Sequence, residues 1–166
     1  MIRAARHDDV DTMRAVEVAA GRLFAEIGMD LVAEDEPPAA DMLRHYIGNG
    51  RAWVYGADVP VAYLLARWVD GNVHLEQVSV DPGYAGRRIG VALVEHLAAW
   101  ARERGAPALT LSTYAEVAWN APYYERLGFR RLADAELTDG LRRIRAEEAA
   151  HGLDRWPRLC MRRELG

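Results

Sequence analysis

Two stretches of this chain carry residue types that could do chemistry. The first runs Val78, Ser79, Val80, Asp81, Pro82, Gly83, Tyr84, Ala85, Gly86, Arg87, Arg88, Ile89, Gly90, passing from a strand-like segment through a glycine-bearing loop into a helical period. Glycines let the backbone approach a ligand, and the first amide hydrogens of the helix that follows have no internal partner. The helix dipole places partial positive charge there, and Arg87 and Arg88 add two full charges. The stretch could therefore hold a pyrophosphate by amides and charge together. The same residues also suit a plain loop with two solvated arginines, because short glycine patterns are common. A P-loop lysine motif and a full GxGxxG are both missing, which disfavours an unrelated nucleotide-binding α/β domain.

Just upstream, the two-residue period of a strand puts His74, Glu76, Val78 and Val80 on one face and Leu75, Gln77 and Ser79 on the other. Two titratable groups then share a face. A histidine with an ordinary pKa of about 6.5 accepts a proton near neutrality unaided, whereas a glutamate needs a raised pKa or a water chain. Each is equally readable as a polar residue paired with a neighbour. The second stretch, Asn120, Ala121, Pro122, Tyr123, Tyr124, Glu125, Arg126, Leu127, Gly128, Phe129, sets two tyrosines behind an asparagine that could cap a helix or meet a ligand.

The elements that must position these residues can be read from periodicity. Met1 to Ala5 is a strand candidate, and Asp8 or Asp9 caps a helix whose stripe Val10, Met13, Val16, Ala20, Leu23, Phe24 and Ile27 ends near Gly28. Met29 to Pro38 reads as an acidic loop with Glu34, Asp35 and Glu36. A shorter helix follows through Met42, Leu43, Tyr46 and Ile47. Ala52–Ala57, Val61–Val69 and Val73–Val80 form an antiparallel meander, with Asp70, Gly71 and Asn72 as a hairpin turn. Ile89, Leu93, Leu97 and Trp100 line a helix closed by Gly105, and Ala108–Thr113 is the next strand, parallel to the one before the helix. Trp119–Leu127 reads as a short helix, Phe129–Ala133 and Arg158–Leu165 as strands, and Thr138–Gly152 as an added helix. The apolar last strand, with Leu159, Cys160 and Met161, suits a sheet edge used in dimerisation.

The chain has 166 residues, of which 51% are hydrophobic and 28% charged, the composition of one ordinary globular domain. A net charge of −4 disfavours nucleic acid or an anionic membrane as partner. One cysteine, Cys160, cannot form an intrachain disulfide, which fits a reducing compartment. Met1 to Asp11 has no apolar run that could serve as a signal-peptide core, and no run approaches the roughly 20 residues that span a bilayer. The expectation is a cytoplasmic protein without a metal site.

The two stretches resemble the two signatures of the GNAT acetyltransferase family. Its first signature runs Gln or Arg, two residues, Gly, one residue, Gly or Ala, after a strand ending Val-x-Val. Val78, Val80, Gly86 and Gly90 stand in its places, while Ala85 stands where Gln or Arg is usual and Arg88 where glycine is usual. Its second signature is an Asn followed by a helix ending Tyr-Glu-x-Leu-Gly-Phe, matched by Asn120 and Tyr124 to Phe129. The strand order matches as well, so the resemblance covers nearly the whole chain.

That resemblance implies an α/β (α+β) fold in one GNAT-type domain over residues 1–166. The fold would be a mixed, twisted sheet of about seven strands flanked by helices, an antiparallel N-terminal meander followed by a βαβ unit. It implies acetyl-CoA as co-substrate, its pantetheine arm pairing with the strand Val78, Ser79, Val80. The pyrophosphate would lie on the loop and helix start, Ala85, Gly86, Arg87, Arg88, Ile89, Gly90 and Val91, with Asn120 near the cofactor. Acetyl transfer needs a deprotonated amine, stabilisation of the oxyanion and a proton for the departing thiolate. The resemblance assigns the last to Tyr124, oxyanion polarisation to the Val78 amide, and the base to Glu76, with His74 second. The expected acceptor is a primary amine of a small molecule or peptide. The alternative is a non-catalytic acyl-CoA-binding module of the same fold.

Overall fold

The computed structural model describes residues 1–166. Seven strands, β1 (Ile2–Ala4), β2 (Ala52–Tyr55), β3 (Ala62–Val69), β4 (Asn72–Val80), β5 (Ala108–Tyr114), β6 (Arg130–Arg131) and β7 (Arg158–Glu164), form one sheet in the order β1-β2-β3-β4-β5-β7-β6. β1, β2 and β3 pair antiparallel, β4 and β5 pair parallel, and β7 pairs antiparallel with both β5 and β6. The helices are α1 (Val10–Gly21), α2 (Asp30–Ala33), α3 (Ala40–Gly48), α4 (Ile89–Glu103), α5 (Ala121–Arg126) and α6 (Asp139–Ala150). The meander, the parallel crossover and the added helix all stand as the periodicity predicts.

Packing divides the chain into two compact units, Met1–Ala66 with Gln77–Leu97, and Arg67–Glu76 with Ala98–Gly166. In the first, Val10, Met13 and Val16 of α1 and Leu43 and Tyr46 of α3 bury their apolar stripes against Val54, Tyr63 and Leu65. In the second, Leu141 and Ile144 of α6 cover Cys160 and Leu132, with Val69 packed alongside.

Four expectations need correction. The first helix does not run evenly to Gly28. It tightens at Arg22–Ile27 into a 3-10 helix, and Gly28 stops it in the left-handed conformation at φ 79°. The segment after Gly28 is not all loop, because Asp30–Ala33 makes one helical turn, although Glu34, Asp35 and Glu36 are solvated. β7 is no edge: β5 and β6 flank it, and Cys160 and Met161 are buried.

The fourth correction bears on the site. Along β3 alternation is regular, since Tyr63 and Leu65 join the core beneath α1 and α3 while Trp68, on the other face, stacks on Trp100 of α4 at 6.1 Å. Arg67 therefore shares a face with Tyr63. Glu76 reaches Arg67, with Oε2 3.1 Å from Nε. The next residue, Gln77, meets the same Glu17 carboxylate that takes the Tyr63 hydroxyl. Two consecutive residues of β4 thus project to one face, as in a β-bulge. His74 and Glu76 fall in phase with Gln77 and Ser79, and Val78 and Val80 point the other way.

Candidate active site

The loop after β4 is built to leave amides free. Asp81 donates its amide to the Val61 carbonyl at 2.9 Å and accepts the Gly83 amide on Oδ1 at 2.9 Å, which folds Pro82–Tyr84 into a single 3-10 turn. Gly86 then takes φ 78°, with nothing within 4 Å of where a side chain would project. Arg88 takes φ 58°, a conformation glycine adopts readily and other residues seldom do. The first intrahelical bond of α4 runs from the Ala92 amide to the Arg88 carbonyl at 3.1 Å. The six consecutive amides from Gly86 to Val91 donate to no protein acceptor. Such a row, at the positive end of a fifteen-residue helix and flanked by exposed Arg87 and Arg88, fits a phosphate-bearing group. Arg87 packs over the Tyr84 ring at 5.0 Å, and neither arginine pairs with a carboxylate.

One predicted donor is already engaged, because the Ala85 amide donates to the Pro82 carbonyl at 3.2 Å. The buried Ser79 hydroxyl is bonded to Glu17. The strand edge itself is open. β4 pairs with β5 only at Val73 and His74, which leaves Val78 to Val80 beyond that ladder.

In the second unit His74 and Glu76 stand together but in different states. His74 is 2% exposed, its Nδ1 2.8 Å from the Thr110 hydroxyl. Burial, reinforced by Arg67, lowers its pKa to about 4. It is a neutral imidazole at pH 7, not the unperturbed base that the sequence alone allows. Glu76 is only partly buried and lies 3.9 Å from His74 Nε2. Burial raises its pKa above the usual carboxylate range, against the opposing pull of Arg67. Its Oε2 makes no aligned hydrogen bond despite the 3.1 Å approach of Arg67 Nε, so it keeps capacity to accept a proton or a water.

Tyr124 sits in α5, where its ring packs edge-on against Tyr123 at 5.3 Å and Phe129 at 5.7 Å. Gly128, at φ 92°, turns the chain so that the Phe129 amide closes back on the Tyr124 carbonyl at 3.1 Å. That turn is the physical content of the Leu-Gly-Phe ending. Burial pushes the phenol pKa well above its usual value, and the hydroxyl makes no protein hydrogen bond. Asn120 starts α5 with its backbone carbonyl, which accepts the Tyr124 amide at 3.0 Å, but its side chain makes no capping bond. Its Oδ1 accepts from Thr113 Oγ1 at 3.0 Å instead, which fixes the side-chain amide.

One functional group escapes sequence reasoning. Glu17 of α1 collects the Tyr63 hydroxyl at 2.8 Å, the Gln77 side-chain amide at 3.1 and 3.2 Å, and the Ser79 hydroxyl. It falls outside the apolar stripe of α1, and strict alternation in β4 conceals that Gln77 and Ser79 share a face with Glu76. Polar side chains at two successive inward positions of a central strand are the signal that could have found it.

The sequence profile of the Acetyltransferase (GNAT) family matches residues 15–129. A glucosamine 6-phosphate N-acetyltransferase of Trypanosoma brucei brucei is 39% identical over 57 residues, which is 34% of this chain and 37% of that protein. The match thus spans little more than a third of that relative. Peptidyl-lysine N-acetyltransferase YjaB of Escherichia coli (strain K12) is 25% identical over 145 residues, 83% of this chain and 87% of that one. Among solved structures, the PaiA N-acetyltransferase of Thermoplasma acidophilum in complex with coenzyme A superposes with a TM-score of 0.70 at 14% identity. That superposition covers 99% of this chain and 98% of the other. At that identity the likeness speaks for the fold.

Proposed function

The chain belongs to the GNAT acetyltransferase family and, as an N-acetyltransferase, takes acetyl-CoA as co-substrate; from that premise we propose that it moves the acetyl group by direct attack onto a primary amine of a small molecule or peptide. The row of free amides from Gly86 to Val91 carries this reading, because it fits the pyrophosphate of the donor. Arg87 and Arg88 add charge-assisted contacts. The open edge of β4 supplies backbone groups of Val78 and Val80 to the pantetheine arm, and the Val78 amide polarises the thioester carbonyl where the oxyanion develops. Glu76 takes the ammonium proton, directly or through a water, since its raised pKa makes it a better base than an ordinary carboxylate. As the carbon–sulfur bond breaks, Tyr124 gives its proton to the thiolate. The burial that keeps its phenol protonated also destabilises a thiolate beside it, so transfer does not oppose a large pKa gap. His74, neutral and bonded to Thr110, orients rather than titrates. We place the whole of residues 1–166 in one cytoplasmic transferase domain. No helix is long and apolar enough to cross a membrane.

The test is calorimetric titration with acetyl-CoA, then thiol release across a panel of primary amines, with Tyr124→Phe in parallel. The expected result is amine-dependent release in the wild type and a kcat about 10²-fold lower in the mutant, with acetyl-CoA affinity within about twofold. Binding without release from any amine would favour the acyl-CoA-binding module. Absence of binding would remove the donor assignment.

A further inference from the structure

The Glu17 carboxylate is unevenly satisfied. Oε2 accepts from Tyr63, Gln77 and Ser79, whereas Oε1 accepts one long bond, from Gln77 Nε2 at 3.2 Å. All three donors are neutral. Tyr63 stays protonated, because burial and the nearby Glu17 charge raise its pKa well above 10. Gln77 Nε2 is further divided, since it also donates to Ser79 Oγ at 2.9 Å. No lysine, arginine or histidine lies within ion-pair distance of Glu17, whereas three other carboxylates withdrawn from solvent each have a cation. Asp9 has Arg3, Glu76 has Arg67, and Glu148 has Arg145 and Arg158. A partly desolvated anion held by neutral dipoles and carrying a spare lone pair is a receptor for a cation.

Its position points to which cation. The two β4 residues bonded to Glu17 bracket Val78 in sequence, so the carboxylate is anchored on both sides of the backbone group assigned to the acetyl carbonyl. An alkylamine acceptor is an ammonium ion at neutral pH. We propose that Glu17 is the specificity-determining residue that receives the acceptor as its ammonium form, which restricts this enzyme to acceptors that are cationic when they bind. This rests on the transferase reading above. Glu17 recognises the charged amine, a task separate from removing its proton.

The probes are benzylamine, a cation at pH 7, benzhydrazide, neutral with the same ring, and benzyltrimethylammonium, a cation that cannot be acetylated. In Glu17→Gln the KM for benzylamine should rise about tenfold or more, while the KM for benzhydrazide, kcat and acetyl-CoA affinity stay within about twofold. In calorimetry benzyltrimethylammonium should bind the wild type and lose about tenfold or more in the variant. Equal shifts for the charged and neutral amines, a fall in kcat alone, or equal benzyltrimethylammonium binding by both proteins would overturn the assignment. So would a wild type that does not bind this cation. Should Glu17→Gln fail to fold, Gln77→Leu decides. It strips the donor from Oε1 and leaves the charge, so affinity for the cation should hold or increase, and its loss would overturn the proposal. Failure of acetyl-CoA to bind the wild type would instead remove the transferase reading, and the cation titration is independent of it.

Discussion

Arg88 holds φ 58°, a left-handed conformation that costs a residue with a β-carbon roughly 1–2 kcal/mol. Glycine at this place would relieve that cost but lose more entropy on folding, by about 0.5–1 kcal/mol, so the two terms nearly cancel. Arg88→Gly should therefore leave thermal stability within about 1 kcal/mol of wild type. Loss of the guanidinium should weaken acetyl-CoA binding about three- to tenfold. Arg88→Ala should lose the same affinity, because the charge and not the backbone freedom differs from wild type in both. Calorimetry and a melting curve on each variant separate the two effects. His74 gives a different prediction. Its pKa is about 4 folded and about 6.5 unfolded, so the unfolded chain binds a proton that the folded chain refuses. The stability is complete above pH 6.5 and lost as pH falls toward 4, by about 3 kcal/mol from this group. Glu76 opposes part of that slope, because its raised pKa favours the folded state on acidification. Denaturant melts between pH 7 and 4 should show a shallower loss in His74→Gln than in wild type.

At the scale of elements, the hairpin from β3 to β4 and the start of α6 are built on each other. Asp70 and Gly71 carry φ 52° and 81°, the two positive values of a tight hairpin turn, and Asp70 Oδ2 accepts the Gly140 amide at 2.8 Å. A methyl at Gly140 would fall 2.6 Å from both Asp70 Oδ2 and Val69 Cγ1. Gly140→Ala should cost about 1–3 kcal/mol by overpacking, and Asp70→Ala about 1 kcal/mol for the lost cap, both read from denaturant midpoints. The hairpin itself is legible in Asp70, Gly71 and Asn72, because positive φ demands such residues. So are α4 and the Leu-Gly-Phe turn. The tightening at Arg22–Ile27 is not, because a stripe at Ala20, Leu23, Phe24 and Ile27 serves 3.0 and 3.6 residues per turn about equally well over six residues. The bulge in β4 is also hidden. Glu76 and Gln77 are both polar, so no apolar residue appears out of phase to betray it, and the error carries over to the Glu17 cluster.

At the scale of the whole molecule, electrostatics sets two effects against each other, since a chain of net charge −4 and pI 5.7 must bind a polyanionic donor. Four charges averaged over ~20 Å of water repel a unit negative charge by ~0.8 kcal/mol. Two arginines at ~4 Å attract it by ~2 kcal/mol, before the amides of Gly86 to Val91 contribute. The local attraction wins, and the two effects respond to salt at different ranges. With a Debye length of about 10 Å at 0.1 M, the distant repulsion is already largely screened, so further salt acts chiefly on the arginine contacts. Acetyl-CoA affinity should therefore fall between about 0.1 and 1 M salt, where the Debye length shrinks to about 3 Å. Reversing both local charges, in the double variant Arg87→Glu and Arg88→Glu, makes near and far fields agree in sign. Its weaker affinity should rise over the same salt range. If affinity fell with salt equally in both proteins, these two arginines would not be the phosphate contacts, and the free amides alone would hold the donor.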